Sequence, residues 1–378
     1  MIKKSFKVHG VYVHVPFCKR KCLYCDFFSC ASDNTELMLQ YADAVCCQIE
    51  QTQAEVTDYA TIYFGGGTPS ILPVDGLIRI VEKLKQCGFW QMPKEATIEC
   101  NPGTVDLDKL QVYRQLGFDR ISFGVQSFNN NELQIIGRIH NADDALTAVA
   151  LAKAVGFKRI NVDLIYGLPL QNLNSFQYSL QQFCSLNLSH LSLYSLILED
   201  GTSLKTMVDN GQIKMPDENL TADMDDWVQK FLLQHGYKRY EISNYAKTGE
   251  ESKHNLVYWN YLPYIGFGAG ATGFDGWTRY KGVENIGQYI QSPLAVEKEH
   301  LTCDNIYSEF MFMNLRKVDG VRLKEYKERY GEDIIDKTLT KINTCIEDGL
   351  VEYDDKKDVL RLTERGMSLG DLVFSKFV

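Results

Sequence analysis

The sequence predicts an α/β chain: a partial (β/α) barrel followed by a small C-terminal helical, winged-helix-like module. Three observations predict it. Short β-branched and aromatic runs alternate with helical patterns through the first 200 residues, one glycine–aromatic junction recurs between them, and the rhythm changes after about residue 290. The bulk properties agree, since 378 residues at 45% hydrophobic and 24% charged fall in the ordinary globular range with ample length for a core.

Strands are expected at 11–15, 61–65, 96–100, 120–125, 159–165 and 190–196. Between them lie helices. Leu77, Ile80, Val81 and Leu84 form an i, i+3, i+4, i+7 stripe, and Asn141 is placed to cap a helix with Asp143 and Asp144 in its first turn, where carboxylates suit the helix dipole. The junction reads Cys87-Gly88-Phe89, Leu116-Gly117-Phe118, Val155-Gly156-Phe157 and His235-Gly236-Tyr237. Each glycine sits where a helix should stop in a left-handed turn. Strand and helix repeated in this way predict a parallel sheet with right-handed crossovers. Six or more units favour a barrel, with a doubly wound open sheet as the alternative.

After about residue 290 the chain turns rich in Lys and Glu, then reads Gly349–Tyr353, a polar turn, and a second strand from Val359. That is a helix followed by a β-hairpin. The expected division is residues 1–290 and 291–378. Residues 301–378 hold 13 Lys and Arg against 16 Asp and Glu, and the whole chain carries a net charge of −9. Neither is a footprint for nucleic acid. No run approaches the roughly 18 apolar residues of a membrane span. The basic start (Lys3, Lys4, Lys7) leads into no signal-peptide core. A cytoplasmic chain is expected, touching a membrane only through a partner.

Eleven cysteines, an odd and scattered set, fit a reducing compartment better than a disulfide framework. Cys18, Cys22 and Cys25 crowd together after the first strand. Thiolates spaced C-x3-C-x2-C can each bind one iron of a [4Fe–4S] cluster and leave the fourth iron open. Lys19, Arg20 and Lys21 would offset the cluster's negative charge. The alternative is structural zinc with His14 or Cys30 as fourth ligand, although no distant second pair is visible.

The three-cysteine motif, with an aromatic (Tyr24) before its last cysteine, resembles the radical S-adenosylmethionine (SAM) family. The resemblance implies a barrel of that family's type, SAM chelating the open iron, and one-electron cleavage to a 5′-deoxyadenosyl radical. Further motifs fall at the C-terminal ends of the predicted strands, where barrel sites are built. Gly65-Gly66-Gly67-Thr68-Pro69 follows the second strand, Glu99 ends the third, Gln126 ends the fourth with Arg138 beyond it, and Asp163 lies in the fifth. A zwitterionic nucleoside needs such a set: Arg for a carboxylate, Glu for an ammonium or ribose, Asp for ribose hydroxyls.

Within that family, Tyr12–Cys18, Gly65–Pro69, Gly124–Phe128 and Asp163–Pro169 resemble the oxygen-independent coproporphyrinogen III oxidases and the HemW-type heme chaperones. The resemblance implies SAM contacts at Tyr12, Tyr24, Gly66, Gly67, Thr68, Glu99, Gln126, Arg138, Asp163 and Ile197, with no catalytic residue assigned. Two departures favour the chaperones. The oxidases carry a further cysteine where this chain has Phe27, and a longer N-terminal arm. The chaperones carry Asp-Phe after the third cysteine, matching Asp26-Phe27, and H-N-x-x-Y-W, matching His254–Trp259. The resemblance then implies heme as a third bound group, His254 as its ligand with Tyr258 and Trp259 on the macrocycle, a heme-acceptor protein, and an electron donor to the cluster. The oxidase reading, with a porphyrinogen as substrate, is the alternative. A histidine held in a loop against two core aromatics is the plainer reading of His254.

Overall fold

The structure is a computed structural model that describes residues 7–331 and 333–377; Lys3 and Lys4 lie outside them. Six parallel strands run in chain order: β1 (Lys7–Val15), β2 (Glu55–Gly66), β3 (Glu95–Cys100), β4 (Arg120–Gln126), β5 (Arg159–Tyr166) and β6 (His190–Ser195). Helices return the chain between them: α1 (Thr35–Gln51), α2 (Val74–Gln86), α3 (Leu107–Leu116), α4 (Ala142–Ala154) and α5 (Leu173–Ser185), with α6 (Glu218–Gln234) after β6.

Local chemistry fixes these boundaries. Asn141 caps α4 and shares a reciprocal capping box with Asp144. Gly88, Gly117, Gly156 and Gly236 all take positive φ, the left-handed stop expected of the recurring junction. Toward their C-terminal halves the strands alternate. Val11, Val13 and Val15, then Ile62 and Phe64, Ile98, Ile121 and Phe123, Val162 and Leu164, and Leu191 and Leu193 all join one buried core with the helices. Each fully buried aliphatic or aromatic side chain contributes about 1.5–3 kcal/mol relative to exposure. The opposite face of the same strands is polar and lines the barrel interior.

The sheet grows beyond the six strands. On one side β6 pairs antiparallel with β8 (Asn244–Ala246), itself paired with β7 (Lys238–Glu241). On the other, β1 pairs parallel with β9 (Tyr264–Phe267), and β10 (Thr272–Phe274), β11 (Thr278–Gly282) and β12 (Val296–His300) follow antiparallel. The order is β12-β11-β10-β9-β1-β2-β3-β4-β5-β6-β8-β7, and among the described residues its two edges do not pair. The barrel is therefore partial. The glycines at 266–273 give close backbone packing: a Cβ at Gly268 would lie 2.6 Å from both the His14 carbonyl and the Tyr41 hydroxyl.

A second core gathers Tyr261, Phe274, Ile306, Phe310, Leu315, Tyr326 and residues on to Phe377. It includes a three-stranded sheet of β13 (Val321–Arg322), β14 (Val351–Asp354) and β15 (Val359–Leu362), in which β14 and β15 form the expected hairpin. Among the described residues no helix is long and apolar enough to cross a membrane.

Candidate functional site

The C-terminal ends of the six parallel strands meet at one rim around a cavity of about 400 Å³. The cysteine segment forms one wall. Its base is closed by Phe17–Cys18 pairing parallel with Cys30–Ala31, so the residues between project as a rim loop. Cys18, Cys22 and Cys25 all line the cavity and all are free thiols. Burial pushes the Cys18 and Cys25 thiols up, so a metal must displace their protons to bind. Among the described residues, no three His, Cys, Asp or Glu side chains are gathered as the ligand set of a metal ion.

The basic residues of the loop act as ties. Lys19 Nζ donates to the Gly103 carbonyl at 3.2 Å, Arg20 to the Gly137 carbonyl at 2.6 Å, and Lys21 to the Phe27 carbonyl at 3.1 Å. They pin the loop to itself and to the segments after β3 and β4, so their hydrogen bonds go to backbone oxygens rather than sulfur. Gly137 is part of this fit: its φ is +79°, and a Cβ there would lie 2.9 Å from the Leu23 side chain.

The glycine loop after β2 lies against Cys18. A Cβ on Gly67 would sit 2.7 Å from the Phe17 carbonyl oxygen and 2.9 Å from Cys18 Sγ. Thr68 Oγ1 donates to Cys18 Sγ at 3.6 Å and accepts from Asn101 Nδ2 at 2.8 Å. Glu99 accepts from the Tyr63 hydroxyl at 2.6 Å and from the Gly66 amide at 3.3 Å. Its removal from bulk water pushes its carboxyl up to about 7, against the pull of the Tyr63 hydrogen bond.

Gln126 ends β4 at a register shift with φ +66°, a sparsely populated conformation for a side-chain-bearing residue. Its Oε1 is buried without a partner. Arg138 donates to Cys22 Sγ at 3.2 Å, to Asn101 Oδ1 at 2.6 Å and to the Gly124 carbonyl, while its Nε has no partner. Asp163 accepts from Asn161 Nδ2 at 2.7 Å, and burial raises its carboxyl. Cys18, Cys22, Cys25, Tyr24, Gly66, Gly67, Thr68, Glu99, Gln126, Arg138, Asp163 and Ile197 are thus brought to one cavity.

Two of the sequence-chosen residues are not. Tyr12 lies below the rim, its hydroxyl 2.9 Å from His14 Nδ1 and its ring stacked on Tyr63. His254 is 1% exposed. It sits in the Lys253–Trp259 helix, which plugs the strand ends opposite the rim with its first amides on the Glu95 carboxylate. Both its ring nitrogens are engaged, Nδ1 with Thr61 Oγ1 at 2.7 Å and Nε2 with the Tyr258 hydroxyl at 2.8 Å. Burial holds the imidazole neutral, lowering it to about 3. Tyr258 packs edge-on against Tyr264, and the Arg316 guanidinium covers Trp259. His14 is likewise committed, between Tyr12 and the Phe28 carbonyl.

Sequence reasoning missed several cavity residues: Tyr63, Arg120, Asn161, Ser192 and Tyr194. Each stands at an inward position of its strand, and Tyr63, Asn161 and Ser192 have apolar residues on both sides. A polar residue at every second position was the available signal.

Residues 12–183 match the radical SAM superfamily model, and residues 301–369 match the HemN C-terminal domain model. The chain is 35% identical to the heme chaperone HemW of Bacillus subtilis, over 98% of this chain and 99% of that one. It is 34% identical to the heme chaperone HemW of Lactococcus lactis, over 98% of each. Its fold is similar to that of coproporphyrinogen III oxidase (HemN) from Escherichia coli, a radical SAM enzyme, with a TM-score of 0.84, 23% identity, and coverage of 100% of this chain and 91% of the other.

Proposed function

The chain belongs to the HemW family within the radical SAM superfamily, and from that premise we propose that it binds heme and hands it to an acceptor protein. The likeness to heme chaperones along nearly the full length of both chains carries this reading. Asp26-Phe27 after the third cysteine and the His254–Trp259 motif support it over the oxidase reading. The fold shared with the oxidase, at 23% identity, speaks to architecture alone.

The family implies a [4Fe–4S] cluster and SAM. We assign the cluster to Cys18, Cys22 and Cys25, and SAM to the rim residues with Tyr12 behind them. The donor set fits: three free thiols face a glycine cradle, and Gln126 Oε1 and Arg138 Nε are buried without partners beside them. When bound, these groups supply one-electron chemistry. The chain's own residues orient and neutralise. Arg138 holds the Cys22 thiol and presents a cation for a carboxylate. Glu99 offers an acceptor to an ammonium or a ribose. Asp163, steadied by Asn161 and Ser122, offers one to ribose hydroxyls.

His254 as heme ligand requires a second arrangement, because its ring must give up either Thr61 or the Tyr258 hydroxyl of its own helix before an imidazole nitrogen can meet iron. The free thiols support a reducing compartment, and we assign the cytoplasm.

The test is anaerobic heme titration of iron- and sulfide-reconstituted protein beside an assay with SAM, reductant and coproporphyrinogen III. The expected result is saturable heme binding, passage of heme to an acceptor, and no vinyl-bearing product above the no-SAM control. Vinyl product with no heme binding would overturn the reading in favour of the oxidase.

A further inference from the structure

A second cavity, of about 460 Å³, lies beside the first and shares Tyr194, Ser195 and Ile197 with it. Its far wall comes from the C-terminal segment Met367–Leu372. The volume lies in the range of small-molecule sites. Its lining is mixed, and part of it is apolar and open to solvent: Tyr194, Ile197, Leu369 and Leu372 are four of the exposed large hydrophobic side chains of the molecule and all line this one cavity.

Two arginines also line it, each held in place with hydrogen-bonding capacity to spare. Arg239 donates through Nε and one terminal nitrogen to the Ile242 carbonyl, leaving its other terminal nitrogen buried without a partner. Arg316 is sandwiched between Trp259 and Phe374, 4.6 and 5.2 Å from the ring centroids, and its Nε has no partner. Of the carboxylates on the same wall, Asp225 is taken by the Ser368 hydroxyl at 2.7 Å, and Asp371 is exposed. A buried donor without an acceptor is costly, which points to an acceptor brought by a ligand. Two guanidinium groups beside a patch of exposed apolar side chains suit a flat apolar body carrying two acids.

We propose that this second cavity takes the carboxylate edge of a tetrapyrrole, one propionate on Arg239 and the other on Arg316, with the macrocycle lying over Tyr194, Ile197, Leu369 and Leu372. The proposal rests on the heme-binding reading and adds the place of the ligand and the reason it is recognised. It also brings the bound macrocycle beside the rim cavity through the shared Ile197 wall, and it ties Trp259 of the 254–259 motif to the ligand through Arg316.

The experiment titrates hemin and hemin dimethyl ester into the full-length reconstituted protein, the Arg239→Met and Arg316→Met variants, and Arg316→Lys. Loss of a charge-assisted pair is expected to weaken hemin binding roughly tenfold or more per arginine. The dimethyl ester, which loses both pairs, should bind the unaltered protein more weakly than hemin binds either single variant, and should not distinguish variant from parent. Arg316→Lys should recover part of the affinity. The ester comparison needs no mutation, so a variant that misfolds does not spoil the test. Equal binding of hemin and its ester, with both methionine variants unchanged, would overturn this placement while leaving heme binding intact. Absence of any hemin binding by the unaltered protein would instead overturn the parent reading.

Discussion

Glu99 stands between two groups of the rim: the Tyr63 hydroxyl at 2.6 Å on one oxygen and the Gly66 amide at 3.3 Å on the other. Enclosure raises its carboxyl to about 7, and the nearby Asp163 adds to the rise. The sign follows from that direction. With a folded value above the usual carboxylate range, the group favours folding while protonated, and this contribution fades as pH climbs through about 7. For ligand binding the sense is opposite, because an ammonium or ribose donor needs the ionised acceptor. SAM affinity measured by calorimetry should therefore rise between about pH 6 and 8, since a hydrogen bond to a charged group contributes about 1.5–3 kcal/mol. Glu99→Gln should bind weakly and without that pH dependence. Tyr63→Phe, which deletes the donor that lowers Glu99, should move the midpoint upward. A pH profile identical in parent and Glu99→Gln would remove Glu99 from the site. Glu99 was legible from its strand-end position. Tyr63 was not, because a tyrosine in Thr61–Gly65 reads equally well as core, and only the stacking between Tyr12 and His254 reveals its place in a column.

At the scale of elements, the six barrel strands were legible because their outward faces carry an unbroken alternation of valine, isoleucine, leucine and phenylalanine. Their C-terminal ends, where the rim is built, fall within about a residue of expectation. The start of β2 was not legible. It begins at Glu55 rather than 61, where Glu55 and Val56 pair with Lys7 and Val8 before a register irregularity, so the alternation breaks. Strands β8 to β12 were missed for a related reason: they are three to five residues long and gain stability from distant partners. The 253–259 segment was read either as a heme ligand or, more plainly, as a loop histidine against core aromatics, and its packing as a helical plug could not be seen without the strands it closes. The glycine loop was both legible and consequential. Gly67→Ala places a carbon 2.7 Å from the Phe17 carbonyl and 2.9 Å from Cys18 Sγ, so the loop and the thiol must separate. Overpacking of this kind costs about 1–3 kcal/mol. We expect a lower thermal midpoint and reduced iron content after reconstitution. Normal iron with an unchanged midpoint would show that the loop has slack the geometry denies.

For the whole molecule, the question is whether the thiols hold the fold together or are carried by it. The main core runs through the strands and helices from Val8 to Tyr289, and the second from Tyr261 to Phe377; none of Cys18, Cys22 and Cys25 belongs to either. We propose a division near residue 290 as the domain boundary. The thiol loop hangs from the rim by backbone ties: Leu23 N to the Ile136 carbonyl at 3.1 Å, Leu204 N to the Leu23 carbonyl at 2.8 Å, and the arginine and lysine contacts to Gly137 and Gly103. Cys22→Ala leaves all of these in place and removes one sulfur from a half-exposed position, with the Arg138 contact to Cys22 as the one interaction lost. Since loops on a rigid scaffold tolerate change better than core positions, the variant should keep its far-ultraviolet circular dichroism and most of its cooperative unfolding. Its iron and sulfide should fall to background, and the reduced sample should give no paramagnetic signal. A cluster spectrum equal to the parent's would exclude Cys22 as a ligand. A chain that instead fails to fold would mean that the cluster supplies folding free energy, as structural metals do in small domains, and that the two cores are insufficient without it.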